Sequence, residues 1–173
     1  TGNALGEVDG YQLTCIDNGM PVVLLRAADF GLNGYESVED LSNNWELKAK
    51  IEQIRLRIGP LMNLGEVTQK TVPKMCLIAP PKEGGVLHTR MFIPHVVHDA
   101  IGVLAATSVA TAVVVPGSIA EGIAQFPSHN AKVFSIEHPS GECTVQLDYE
   151  LVEGKIVVKK AGMLRTARLL SRG

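Results

Sequence analysis

The stretch Ala100–Val115 constrains this chain more than any other. It carries no charged residue, is built from Ala, Val, Ile, Leu, Gly, Ser and Thr, and is closed by Pro116-Gly117. Its composition predicts a helix, and a helix that is apolar on every side has to be buried on every side. The rest of the chain must therefore wrap around it. Asp99 stands where an N-cap is expected. Arg90, His95 and His98 come just before it. Polar and basic groups thus gather where a buried helix presents unpaired N–H groups and the positive end of its dipole, a setting that favours an anion. The plainer alternative is a capping Asp99 and two ordinary turn histidines. Pattern alone leaves both readings open.

The wrapping material is sufficient. The chain has 173 residues, 46% hydrophobic and 20% charged, enough core for one domain or two small ones. A net charge of -2 makes no electrostatic case for nucleic acid or for an acidic membrane. Lys155, Lys159, Lys160, Arg165, Arg168 and Arg172 are spread along strand-like sequence and read as a solvated face. The apolar run falls short of the ~20 residues of a membrane span and holds Thr107, Ser108 and Thr111. Cys15, Cys76 and Cys143 lie far apart in apolar runs, so buried free thiols in a reducing, cytoplasmic setting are expected. No signal peptide is visible, and the start at Thr1 reads as a processed or cut end.

Residues 8–27 alternate as a hairpin that turns at Asn18-Gly19, with Pro21 at the start of the return strand. Residues 36–58 carry an amphipathic surface helix. Asn44 caps it, Leu47, Ile51, Ile54 and Ile58 face inward, and Gly59-Pro60 ends it. Lys48, Lys50, Glu52, Arg55 and Arg57 mark its wet side. Leu61–Gly65 is a loop. Strands follow over Thr71–Ala79 and Val86–Phe92, and from Ala131 the chain is β to its end. The fold class is α+β: about eight strands in a mostly antiparallel sheet wrapped around one buried helix, plus a surface helix.

Residue chemistry alone offers Lys74, Arg90, His95, His98, His138 and the Pro139-Ser140-Gly141 turn as candidates. No nucleophile triad, phosphate loop or metal box is present. His95 and His98 have metal-like spacing, but Pro94 argues against a shared helical face and no carboxylate pair completes a set, so no metal is expected. A basic group beside an exposed helix N-terminus better suits a carboxylate or phosphate. Lys74 faces either solvent or a substrate.

Four runs carry a resemblance: NLGEVTQKTVPKMCLIAPP, MFIPHVVHDAIGVLAATSVATAVVVPGS, SIEHPSGE and GMLRTARLLSRG. Over essentially its whole length the chain resembles the methylaconitate isomerase / 4-oxalomesaconate tautomerase family, of diaminopimelate-epimerase-like fold. DFGLNGYES and PLMNLG stand nearest the tautomerase branch. The resemblance implies a two-domain enzyme of which this chain is the second half, with the active site between the halves at the N-termini of both central helices. It implies a cofactor-independent proton shift on a small unsaturated tricarboxylate such as 4-oxalomesaconate. The alternatives are methylaconitate or methylitaconate isomerisation, or a non-catalytic anion-binding or structural domain. The main acid and base belong to the absent half.

Carried over by position, Arg90 matches a substrate-binding arginine on the strand before the helix. His98 falls where epimerase relatives place a catalytic cysteine, which leaves a two-thiol mechanism without its residue and makes His98 the first acid/base or binding suspect. Gly19-Met20-Pro21 replaces a Gly-Asn-Pro turn, and Lys74 falls near a substrate-binding asparagine. The expected substrate-binding set is thus Lys74, Arg90, His95, His98, Asp99, Ala100, His138, Ser140, Gly141, Met20 and Asn63. The N–H groups of Asp99 and Ala100 and the Ser140 hydroxyl are expected to add donors, with no cofactor and no metal. The expected domains are 1–162 and a terminal strand, 163–173, that completes the first half. Its unpaired edge invites a homodimer.

Overall fold

The structure, a computed structural model, describes residues 2–128 and 130–164. Strands β1 (Gly6–Val8), β2 (Tyr11–Asp17) and β3 (Pro21–Arg26) lead through a 3-10 turn into helices α1 (Val38–Asn43) and α2 (Trp45–Leu61). Strands β4 (Lys74–Ala79), β5 (Leu87–Ile93) and β6 (Val96–Val97) precede helix α3 (Val103–Val114), and β7 (Val133–His138), β8 (Gly141–Val152) and β9 (Lys155–Met163) follow. They form one sheet in the order β1-β2-β3-β4-β5-β7-β8-β9, with β6 paired to β5. Only β3–β4 and β5–β7 are parallel; the other pairings are antiparallel. Parallel neighbours need crossovers. Helices α1 and α2 supply the first and α3 the second.

The sheet wraps α3 as expected. Ala105 through Val114 are all buried, packed against β2, β3, β7, β8 and β9. Strands β3 to β5 are covered on both faces, which explains why VVLL in β3 reads as an unbroken apolar run. Val22, Leu24, Cys76, Ile78 and Met91 point to α3; Val23, Leu25, Met75, Leu77 and Phe92 point to Ile51, Ile54 and Ile58 of α2. The polar residues of α3 face the β2–β3 turn. Asn18 donates its N–H to Ser108 Oγ (3.1 Å) and its Nδ2 to Thr111 Oγ1 (2.9 Å), and Ser108 Oγ donates to Met20 O (2.6 Å).

The structure corrects several details. Residues 36–58 hold two helices, not one, and Asn44 ends the first and caps the second by accepting from Leu47 N–H. Helix α2 runs past Pro60 to Leu61, and Gly59 owes its place to Val67, whose methyls leave no room for a Cβ. Arg55 is not on a wet face but fully buried. Its guanidinium holds Glu52 and the carbonyls of Val67, Lys70 and Val72, so it pins the loop behind α2. Residues read as turn before α3 include the short strand β6. Met163 still belongs to β9, opposite Val145. The rest of the expected terminal strand, with Arg165, Arg168 and Arg172, lies outside the described residues apart from Leu164. Among the described residues no helix is long and apolar enough to cross a membrane.

A buried carboxylate ties β7 to the loop before β5. Glu137 is only 2% exposed and accepts from the N–H groups of Lys82, Glu83 and Gly85 and from the ring of His88. Burial opposes its charge, but these donors outweigh it and hold the carboxyl at about 2, from 4.5. A carboxyl lowered by folding stabilises in full above its unfolded value and loses that contribution as pH falls toward its folded one. Between neutral pH and pH 2, urea unfolding of the wild type should therefore lose about 2–3 kcal/mol through this group. Glu137→Gln should start about 2 kcal/mol lower at neutral pH and show a shallower acid loss. Equal acid slopes for the two proteins would contradict this role.

Candidate anion-binding site

Among the described residues the wrapping opens at the N-terminal end of α3. Val103 and Leu104 are 39% and 51% exposed there, against complete burial further along. Lys74 from β4, Met20 from the β2–β3 turn and His98 from the segment after β6 converge on this end. With Met91, Ile93 and Gly102 to Ala105 they line a cavity of about 230 Å³.

Strand alternation puts Lys74 on the α3 face, in phase with Cys76 and Ile78. It faces inward, not to solvent. Among the described residues its Nζ has no hydrogen-bond or ion-pair partner. Burial, and then the charge of Arg55, holds its pKa below the ordinary lysine value. An unpaired ammonium among apolar walls is a receptor for a negative group.

The helix start differs from expectation. Asp99 does not cap it. Gly102 is the N-cap and offers no side-chain hydrogen bond, and the first helical bond runs from Ala106 N–H to Gly102 O (2.8 Å). The N–H groups of Val103, Leu104 and Ala105 find no acceptor among the described residues, so the positive end of α3 stays open to the cavity. Asp99 and Ala100 lie upstream, and their shared peptide is occupied. Its carbonyl accepts from Ser140 Oγ (2.6 Å) and its N–H donates to His98 Nδ1 (2.9 Å). Neither the Ala100 N–H nor the Ser140 hydroxyl proton is therefore available to a ligand.

The same bond fixes the His98 tautomer. A ring nitrogen that accepts from an N–H carries no proton, so the proton sits on Nε2. The Asp99 carboxylate lies 3.3 Å from Nδ1, but that nitrogen has nothing to give it, and Asp99 is 83% exposed. The lining of the cavity thus combines the Lys74 cation, the His98 imidazole, the open helix end and an apolar wall. Such a set can hold carboxylates and stabilise an oxyanion that develops on a carbon skeleton.

Other expected site residues lie elsewhere. Arg90 precedes α3 in sequence but faces the opposite side of the sheet, because it pairs with Leu77, which faces α2, while Met91 faces α3. Its Nε donates to Glu36 O (2.8 Å) and its Nη1 to Thr89 O (3.0 Å) and His88 Nε2. With Tyr35, Lys82, His88, His138 and Gly141 it lines a separate cleft of about 560 Å³. Burial lowers the pKa of His138 there. His95 is exposed, 3.9 Å from Glu52 of α2. Asn63 closes α2 in the left-handed conformation (φ 60°) that asparagine tolerates, away from the residues lining the helix-end cavity. Sequence reasoning missed Gly102 and the N–H groups after it. The signal was the glycine inside the apolar run, since glycine is a favourable N-cap. It also missed His88 and Glu137, whose period-two spacing from Arg90 and within β7 placed them on one face.

The nine-stranded sheet around a central helix defines a diaminopimelate-epimerase-like fold. A crystal structure of Methylitaconate-delta-isomerase superposes with a TM-score of 0.81, at 17% identity, over 95% of this chain and 49% of that one. The family model of PrpF protein matches residues 1–173, and the chain belongs to that family. It is 51% identical over 173 residues to 4-oxalomesaconate tautomerase of Pseudomonas putida and 53% identical to (4E)-oxalomesaconate Delta-isomerase of Novosphingobium sp.. In both cases the alignment takes in 100% of this chain and 47% or 48% of the relative, so the chain spans about half the length of the curated relatives it matches.

Gly102 gives the site a direct test. A Cβ there meets nothing within 4 Å, so Gly102→Asp fits and supplies the missing cap. The variant should gain a few tenths of a kcal/mol in thermal stability, since glycine is already a fair cap. It should bind citrate about tenfold more weakly by calorimetry, because the new carboxylate takes the N–H groups and repels the ligand. Unchanged citrate affinity would remove the helix end from the site.

Proposed function

We propose that this chain is the anion-holding half of an isomerase that shifts a proton along an allylic or keto–enol system of a small unsaturated tricarboxylate, 4-oxalomesaconate first among them. The observation that carries this reading is the convergence of an unpaired Lys74, the His98 ring and an uncapped α3 on one cavity. Relatives at 51% and 53% identity named for oxalomesaconate chemistry support the substrate class.

In this reading Lys74 takes one carboxylate through a charge-assisted hydrogen bond. The N–H groups of Leu104 and Ala105 hold a second. A base removes a carbon-bound proton, and negative charge spreads onto oxygen. His98 donates from Nε2 to that oxygen, and an acid returns the proton at another carbon. Met20, Met91 and Leu104 keep water from the carbon skeleton. None of these steps needs a group beyond amino-acid side chains and backbone. The second cavity wall, the acid and the base come from a first-half domain, in keeping with a chain that covers 47% of one relative. A cytoplasmic, reducing location fits Cys76, whose thiol burial pushes up to about 12, far from reactivity.

Proton exchange tests the reading. The chain, joined to a first-half domain, is incubated with 4-oxalomesaconate in deuterated water and followed by NMR. Solvent deuterium should enter the carbon skeleton, and Lys74→Met should lower kcat/KM by about tenfold or more while leaving the fold intact. No exchange from a folded, associated pair of halves would favour a non-catalytic domain of the same fold.

A further inference from the structure

Ser140 sits in the turn between β7 and β8, far along the chain from His98, and its side chain does not line the helix-end cavity. Its hydroxyl nevertheless reaches the segment that feeds α3. The single hydroxyl proton has two candidate acceptors, Asp99 O at 2.6 Å and His138 Nδ1 at 3.3 Å. The shorter contact to the carbonyl takes it. That carbonyl belongs to the same peptide group whose N–H, on Ala100, donates to His98 Nδ1.

We infer that Ser140 is a positioning residue for His98: by gripping the carbonyl of the Asp99–Ala100 peptide it aims and polarises the N–H that holds His98 Nδ1 unprotonated, and so keeps the proton on Nε2 of a ring that lines the cavity. The three groups form one chain of donors and acceptors running in a single direction, from the Ser140 hydroxyl through the peptide to the imidazole. Each link strengthens the next, because a carbonyl that accepts a hydrogen bond makes its own amide a better donor. The competing arrangement is also on hand. The Asp99 carboxylate lies 3.3 Å from Nδ1 and would accept from it if the proton moved there. Ser140 tips the balance toward the peptide. In such a site His98 is a donor that stabilises charge, and proton abstraction falls to another group. The inference deepens the proposed function and rests on it for the donor role, while the tautomer it assigns stands on the geometry alone.

Heteronuclear NMR of the chain with labelled histidine reads the tautomer directly. The chain has five histidines, and His98→Gln identifies the resonance of interest. Above the titration range, wild-type His98 should show an unprotonated Nδ1 and a protonated Nε2. Ser140→Ala should draw the two nitrogen shifts toward each other and move the Ala100 amide proton upfield, with a thermal unfolding curve that remains cooperative. Ser140→Thr keeps the hydroxyl and should restore the wild-type signature. Citrate affinity, measured alongside, should fall about threefold in Ser140→Ala and recover in Ser140→Thr. A protonated Nδ1 in the wild type, or a Ser140→Ala spectrum unchanged at His98 and Ala100, would overturn the inference. A tautomer that responds as expected in a protein that binds no citrate would uphold the relay and count against the anion site itself.

Discussion

Burial of one uncharged helix governs this molecule. An α3 with no charged residue and no face made for water cannot lie against a flat sheet and leave its far side in solvent. The sheet therefore has to curl, and strands from both ends of the chain close over it. Among the described residues the first turn of the helix, where the chain enters, is left open. That opening concentrates the chemistry. The helix's unpaired N–H groups, its dipole and the side chains that frame the entry meet in one place, surrounded by apolar residues that make each polar contact count for more.

The double-faced sheet then decides which basic groups belong to the opening. Lys74 and Arg90 lie on neighbouring strands, and both are largely withdrawn from solvent. One step of strand alternation separates their destinations. Lys74 points to α3 and stays unpaired, whereas Arg90 points to the α2 side and is consumed by Glu36, Thr89 and His88. The His88–Glu137 pair continues that network and fastens the loop ahead of β5. The outer face thus carries a hydrogen-bonded polar scaffold, and on the inner face, among the described residues, the Lys74 ammonium has no such partner.

Much of this was legible beforehand. The absence of charge between Ala100 and Val115 foretold a buried helix and a wrapping sheet, and alternation after Ala131 foretold the strands. Family resemblance pointed Lys74 inward, where its place in β4 puts it. What escaped notice turns on contacts between distant residues. The helix start shifted from Asp99 to Gly102 because Ser140, some forty positions away, and His98 claim the Asp99–Ala100 peptide. Arg55 looked like one more charge on a wet face because the carbonyls that it gathers come from a loop that only folding brings beside it. Arg90 was placed by its nearness to the helix along the chain, while its strand register faces it away.

Backbone amide NMR of this chain, titrated with citrate, tests the central claim most directly. The account predicts that the largest shifts fall on Val103, Leu104 and Ala105, with the signals of Lys74 and His98 moving at the same ligand concentration. Shifts confined to the cleft of Lys82, His88, Arg90 and His138, with the start of α3 unmoved, would contradict it.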